Sequence, residues 1–276
     1  MTYAMVMVSL ALDRSNDARL EIAGQLVKRF GAGAIGITAG EFSPPLYFTT
    51  GEQAQIVLDQ GRAAIRNRVA EVEARFRAAM QNCAAMVDWR YAEDFPTRFI
   101  IQQARAADII VVGENDSNAL ADPFMQANSS DLLMQTGRPL LVVPDDSDWL
   151  DLRSVLIAWK DTPECRRAVA DALPILREAK DVIVAEIIED EANRSAATSG
   201  VEDLAAWLLR HGVLASVRVS SDSDNAAAQL DRIASEVGAG LVVAGAYGHS
   251  RLREWIFGGV TKHLINPVGR CSLLSR

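Results

Sequence analysis

Cysteine, histidine and basic charge are all scarce in this chain, and each shortage removes a class of function. Three cysteines, Cys83, Cys165 and Cys271, stand far apart in 276 residues with no C-x-x-C pair, which gives neither a disulfide framework nor a thiolate metal knuckle. The compartment expected is a reducing one, the cytoplasm. Three histidines, His211, His249 and His263, share no ligand spacing, so no metal centre built from side chains alone is expected. Lys and Arg total 28 against 36 Asp and Glu, a formal net charge of −8. Nucleic acid and anionic membranes both need clustered positive charge, so neither is an expected partner, and any anionic ligand must be captured locally. No apolar run approaches the ~20 residues that cross a bilayer. The opening run 4–12 has no Lys or Arg before it and is closed by Asp13, so it reads as a buried strand rather than the core of a signal peptide. The signatures G-x-x-x-x-G-K-[ST], H-E-x-x-H and G-x-S-x-G are also missing, which leaves P-loop kinase, zincin and α/β-hydrolase readings without support.

What is present is a repeated α/β pattern. A content of 49% hydrophobic and 23% charged residues is that of a globular chain, and the length suits two ordinary domains. Short Val- and Ile-rich runs predict strands at 4–12, 33–38, 108–113, 140–143, 154–159, 181–188, 213–219 and 240–245. Amphipathic stretches predict helices at 16–30, 52–84, 96–106, 162–178, 200–211 and 224–237. Runs that are apolar at successive positions, such as Ile109-Ile110-Val111-Val112, imply strands buried on both faces of a parallel sheet. The order βαβαβαβ occurs twice, ARAADIIVVGEND (104–116) resembles ASEVGAGLVVAGAYG (234–248), and each half opens with a strand followed by an aspartate, Asp13 or Asp161. The acidic stretch PDDSDWLDLR at 144–153 reads as the join. The expected fold is therefore α/β, two tandem doubly wound parallel-sheet domains at 1–148 and 149–276. The two halves are expected to pack as a pseudo-dimer, because each presents a sheet edge that pairing would cover.

Two features invite a function and are better read as structure. Gly31, Gly33 and Gly36 match G-x-G-x-x-G, but they follow a helix and enter a strand, the reverse of the dinucleotide context; Gly31 suits a C-cap instead. The Ala-rich helix at 52–84, with Ile56, Val69, Val72, Phe76 and Met80 along it, is long enough to bury a core stripe and to touch the other half.

The informative segment is AGAYGHSRLREWIFGGVTKHLI, 244–265, which runs from the end of a buried strand through a glycine-punctuated loop into a helix. Such an arrangement is an anion site, because unpaired N–H groups and the helix dipole face the loop. Gly245 and Gly248 permit close approach, a phosphate would rest on the amides of Gly258, Gly259, Val260 and Thr261, and Thr261 adds a hydroxyl donor. The spacing Gly245, Gly248, Gly258 resembles the G-2x-G-9x-G-[S/T] signature of universal stress protein domains. VLIAWKDTPECRRAVADAL (155–173) is similar to that family's first strand and helix, and the tandem halves to its two-domain members.

The resemblance implies the adenine nucleotide alpha hydrolase-like, universal stress protein fold. It also implies ATP or AMP, with or without Mg2+, as ligand, a regulatory rather than enzymatic role in stress response, and an unidentified protein partner, with a homodimer left open. It places Gly245, Gly248 and Gly258 at ribose and phosphate, and Asp161 and Ile187 at the adenosine end. Asp161 has a second reading as a helix cap before Thr162 and Pro163. His249 reads as a phosphate contact or a bystander, Arg251 and Arg253 as solvated loop charges, and Cys165 as a buried inert thiol. One departure from the family pattern is Gly259, which stands where a Ser or Thr is expected. The first half has Gly113-Glu114-Asn115-Asp116 after its strand and ADPFMQANSSDLL (121–133) downstream, so carboxylates there are expected to repel phosphate. The alternative function is an interaction module of the same fold that uses no nucleotide.

Overall fold

The computed structural model describes residues 2–42, 52–114, 122–221, 225–246, 259–266 and 269–276. The first half runs β1 (Met5–Ser9), α1 (Asp17–Phe30), β2 (Gly33–Ala39), α2 (Glu52–Met80), β3 (Val87–Ala92), α3 (Pro96–Gln103), β4 (Ile109–Gly113), α4 (Ser129–Gln135) and β5 (Leu140–Val143). The second runs β6 (Ser154–Trp159), α5 (Pro163–Glu178), β7 (Asp181–Ile188), α6 (Arg194–Arg210), β8 (Ala215–Ser221), α7 (Ala226–Glu236), β9 (Leu241–Gly245), α8 (Gly259–Ile265) and β10 (Cys271–Ser275). All ten strands belong to one sheet, ordered β3-β2-β1-β4-β5-β10-β9-β6-β7-β8. Each half contributes the same parallel order, and the two meet antiparallel at β5 and β10, where Leu141 faces Leu273. The expected pairing of sheet edges is therefore present. It covers an edge in each half that would otherwise expose unpaired backbone groups.

Alternation along the strands supplies both cores. Val6 and Val8 point to one face with α1, α2, α5 and α6, while Met7 points to the other with α3, α4, α7 and α8. Each face carries one apolar cluster that runs across both halves, as Ile22, Phe76, Ile175 and Val201 show on the first and Ile100, Leu132, Ile233 and Leu264 on the second. Burial of each such side chain contributes ~1.5–3 kcal/mol, so the seam between the halves is stabilised by continuous packing as well as by the ladder.

Polar ties cross the same seam. The Tyr3 hydroxyl donates to the carbonyl of Asp171 (2.7 Å) and its ring stands edge-on to Phe30; burial pushes this phenol's pKa well up. Gln25 of α1 holds the connection between β5 and β6, donating to Asp148 O and accepting from Leu150 N, both at 2.9 Å. Leu150 and Leu152 of that connection are buried in the first cluster.

Four expectations change. The pattern missed β3 and β10, so each half has a fifth strand, and it missed α4. The long helix ends at Met80, and its packing partners are α1, β2 and β3 of its own half. Gly31 does cap α1, at φ 61° with its N–H on Val27 O, while Gly33 and Gly36 lie inside β2 under Met5, Phe76 and Trp89. β3 escaped the pattern because it is an edge strand with charges on it.

Candidate functional site

In open α/β sheets the ligand crevice lies beyond the C-terminal ends of the strands, where the order reverses. In the second half that place is between β6 and β9. Trp159 ends β6, Lys160 and Asp161 follow, and Thr162 caps α5 by accepting from Cys165 N (3.3 Å), with Pro163 at the first helical position. The cap is thus Thr162, not Asp161. The exposed Asp161 carboxylate instead takes two hydrogen bonds from Arg166, at 3.0 and 2.6 Å. Ile187 lies near the end of β7, level with Lys160 when counted from the Trp159–Glu186 pair, and is half-buried on the α7–α8 side. Beside it, burial raises the pKa of Glu186 against the opposing pull of Lys160.

Gly245 ends β9 for a reason that spacing did not reveal. A Cβ on it would stand 2.3 Å from Cys165 N and 2.6 Å from Glu164 C, so any side chain would push the first turn of α5 off the sheet. Ala246 N then donates to Ser275 O (2.8 Å), which ties the exit of β9 to β10. Gly248, His249 and Gly258, with Arg251 and Arg253, lie outside the described residues. Gly259 opens α8 with no described atom within 4 Å of where its Cβ would be. Val260 is half-buried against the α7–α8 side cluster and Thr261 is half-exposed. The far end of α8 is held by Leu264 and Ile265 in the core and by His263 Nε2 on Asp231 (2.7 Å), which also accepts from Arg270 (3.2 Å).

The corresponding end of the first half is built differently. Ile109 and Leu241 open β4 and β9, and their partners are Val6 and Val155. Counted from those pairs, Gly113 matches Gly245. Asp13 and Asp161 each follow the first strand of their half, in connections of different length: that from Ser9 to the Asn16 cap is longer than that from Ala158 to the Thr162 cap. Leu12 N donates to Met125 O (3.0 Å) and Glu41 N to Phe124 O (3.2 Å), so the turn at 122–126 bridges the ends of β1 and β2. A small cluster of Leu12, Ile65 and Val69 with Phe42 and Met125 closes over it.

Beneath Gly113 lies Arg19, at the α1 position that Cys165 holds in α5. Arg19 is 4% exposed and donates to Ser9 O (3.0 Å) and Ser15 O (2.8 Å); burial holds its pKa down to about 10. Arg14 reaches Glu114 O (3.2 Å) and pairs with Asp145. The expected obstacle to phosphate was charge at Glu114 and Asp116. Asp116 is outside the described residues, and the backbone oxygen of Glu114 accepts from Arg14.

Two polar atoms flank the second crevice without described partners. Glu164 is 8% exposed and its Oε2 is buried and unpaired, as is Trp159 Nε1. The first half has Ala18 and Leu10 at these positions. Cys165 is buried, and burial pushes the pKa of Cys271 up to about 12, which fits inert thiols. Among the described residues no group of three or more His, Cys, Asp or Glu is placed to hold a metal ion, and no helix is long and apolar enough to cross a membrane.

No family model and no curated protein matches the sequence. Solved structures do match. A universal stress protein from Archaeoglobus fulgidus DSM 4304 is similar at TM-score 0.71 and 16% identity, over 99% of this chain and 96% of that one. A functionally unknown protein from Pseudomonas aeruginosa PAO1 is similar at TM-score 0.60 and 14% identity, over 99% and 92%. A candidate universal stress protein from P. aeruginosa UCBPP-PA14 is similar at 0.61 and 13%, over 99% and 93%. At these identities the likeness shows the fold, and it covers both halves: the chain has the universal stress protein fold along its whole length.

Proposed function

We propose that the chain is a regulatory protein of the universal stress type, working in the cytoplasm, that binds one adenine nucleotide, ATP or AMP with or without Mg2+, in its second half. The boundary at 148/149 belongs to the same reading, with the first unit serving as a structural partner. The observation that supports it is the exposed Asp161 carboxylate just beyond β6, the strand paired with β9, which ends in Gly245. A ribose hydroxyl would donate to Asp161 in competition with Arg166, adenine would lie against Ile187, and phosphates would rest over Gly245, Gly248 and the amides of 258–261, beside His249.

The non-nucleotide reading keeps one specific support. Gly259 removes the hydroxyl expected after the third glycine, and Arg166 already occupies Asp161. Calorimetric titration of the full chain with ATP and AMP decides between them. Saturable micromolar binding that Gly258→Val abolishes supports the nucleotide reading. Affinity no better than millimolar in the wild type overturns it and favours a binding module for an unidentified protein.

A further inference from the structure

The ten-stranded sheet has two ends, and they are protected unequally. Counting from the pairs Ala34–Val87 and Val182–Ala215, β3 and β8 hold equivalent positions: Asp88 corresponds to Ser216, Trp89 to Val217, Arg90 to Arg218 and Tyr91 to Val219. Every residue of β3 is at least partly buried. An Asp88–Arg90 ion pair (3.0 Å) sits on that strand, and the Trp89 ring packs against Phe76 of α2. On β8 the one charge, Arg218, is drawn aside to Glu236 (2.7 Å). Val217 is 40% exposed, Leu214 just before the strand 81%, and Leu209 near the end of α6 61%. Natural edge strands are guarded by lysine, proline, inward charge or a covering element. Over its seven residues β8 carries no lysine or proline, and among the described residues Arg194 donates to a backbone carbonyl there, that of Val219 (3.3 Å).

We infer that β8 is an interface for a second copy of this chain, paired antiparallel with its own equivalent about a two-fold axis. The sequence ASVRVSS suits that occupant. Centred on Val217, the pairing sets Val217 opposite itself, Ala215 opposite Val219 and Ser216 opposite Arg218. Residues on the α6 side of one strand thus continue the apolar stripe of the other, and no like charges meet. A register centred on Arg218 would oppose two guanidinium groups, which is unfavourable for directly facing cross-strand residues. The chain already joins its own like halves antiparallel at β5 and β10, so edge-to-edge union is compatible with this sheet's twist. An isologous contact of this kind closes at two copies and does not propagate, and Leu214 and Leu209 would be covered at its margins.

Sedimentation equilibrium of the full chain over a concentration series tests the interface. The wild type is expected to pass from one to two chain masses as concentration rises. Val217→Lys and Leu214→Lys, both at exposed positions, are each expected to weaken that association by about tenfold or more, with unchanged circular dichroism and melting temperature. Met86→Lys, next to β3 at the other end, is expected to leave it intact. A wild type that stays monomeric throughout overturns the inference, as does a dimer that both β8 lysine variants preserve.

Discussion

The two halves close the same crevice position with the same residue and use it differently. Gly113 and Gly245 both end the fourth strand of their unit, but Gly113 lies over the flexible Arg19 side chain, 3.1 Å from where a Cβ would meet Nε, while Gly245 lies against α5 backbone at 2.3 Å. Elsewhere in the first half the chain packs Leu12, Met125 and Phe42 with α2 at the ends of β1 and β2. Beside β9, which ends in Gly245, the second half has the exposed Asp161 carboxylate, with Glu164 Oε2 and Trp159 Nε1 lacking described partners. The comparison teaches that a duplicated fold can keep a strand-ending glycine while changing what packs against it.

The strongest test of that difference is stability. Gly245→Ala should cost ~3 kcal/mol or more, at or beyond the usual limit for overpacking, because helix backbone has to move; Gly113→Ala should cost ~1 kcal/mol, since Arg19 can shift. Urea unfolding midpoints measure both, and equal losses would erase the distinction.

Next in size is the loss of the carboxylate beyond β6. Asp161→Leu should weaken ATP and AMP binding by ~1.5–3 kcal/mol, the range for hydrogen bonds to a charged group, with little change in melting temperature because Asp161 is exposed. A titration showing undiminished affinity would remove Asp161 from the site.

The smallest effect concerns the departure at Gly259. Gly259→Ser should leave binding unchanged or tighten it by ~0.5–1.5 kcal/mol, by adding one donor where no described atom lies within 4 Å. A marked loss of affinity would mean that the position is filled.

How much of this was legible beforehand follows from what is local. Strands such as Ile109–Gly113 and Leu241–Gly245 are continuous apolar runs and read directly as buried parallel strands. β3 did not, because Val87–Ala92 is an edge strand carrying Asp88 and Arg90. β10 did not either, because its five residues include Ser272 and Ser275 and its burial depends on distant elements, β9, β5 of the other half and the helices over it. Arg19 reads as a solvent-facing charge in an amphipathic helix, yet its partners are carbonyls at Ser9 and Ser15. The turn at 122–126 over the ends of β1 and β2 depends on hydrogen bonds between residues as distant as Leu12 and Met125, for which DPFM offers no local signal. Conversely, the glycine spacing at 245–258 was visible in sequence, while the reason Gly245 cannot bear a side chain was visible only once α5 was in place.

The central claim, that one crevice of two is a nucleotide site, is tested most directly by the stoichiometry of ATP binding to the intact chain, measured by isothermal titration calorimetry. One site per chain, lost in Gly258→Val, is the result expected. Two sites per chain, or a single site that survives Gly258→Val, would contradict it.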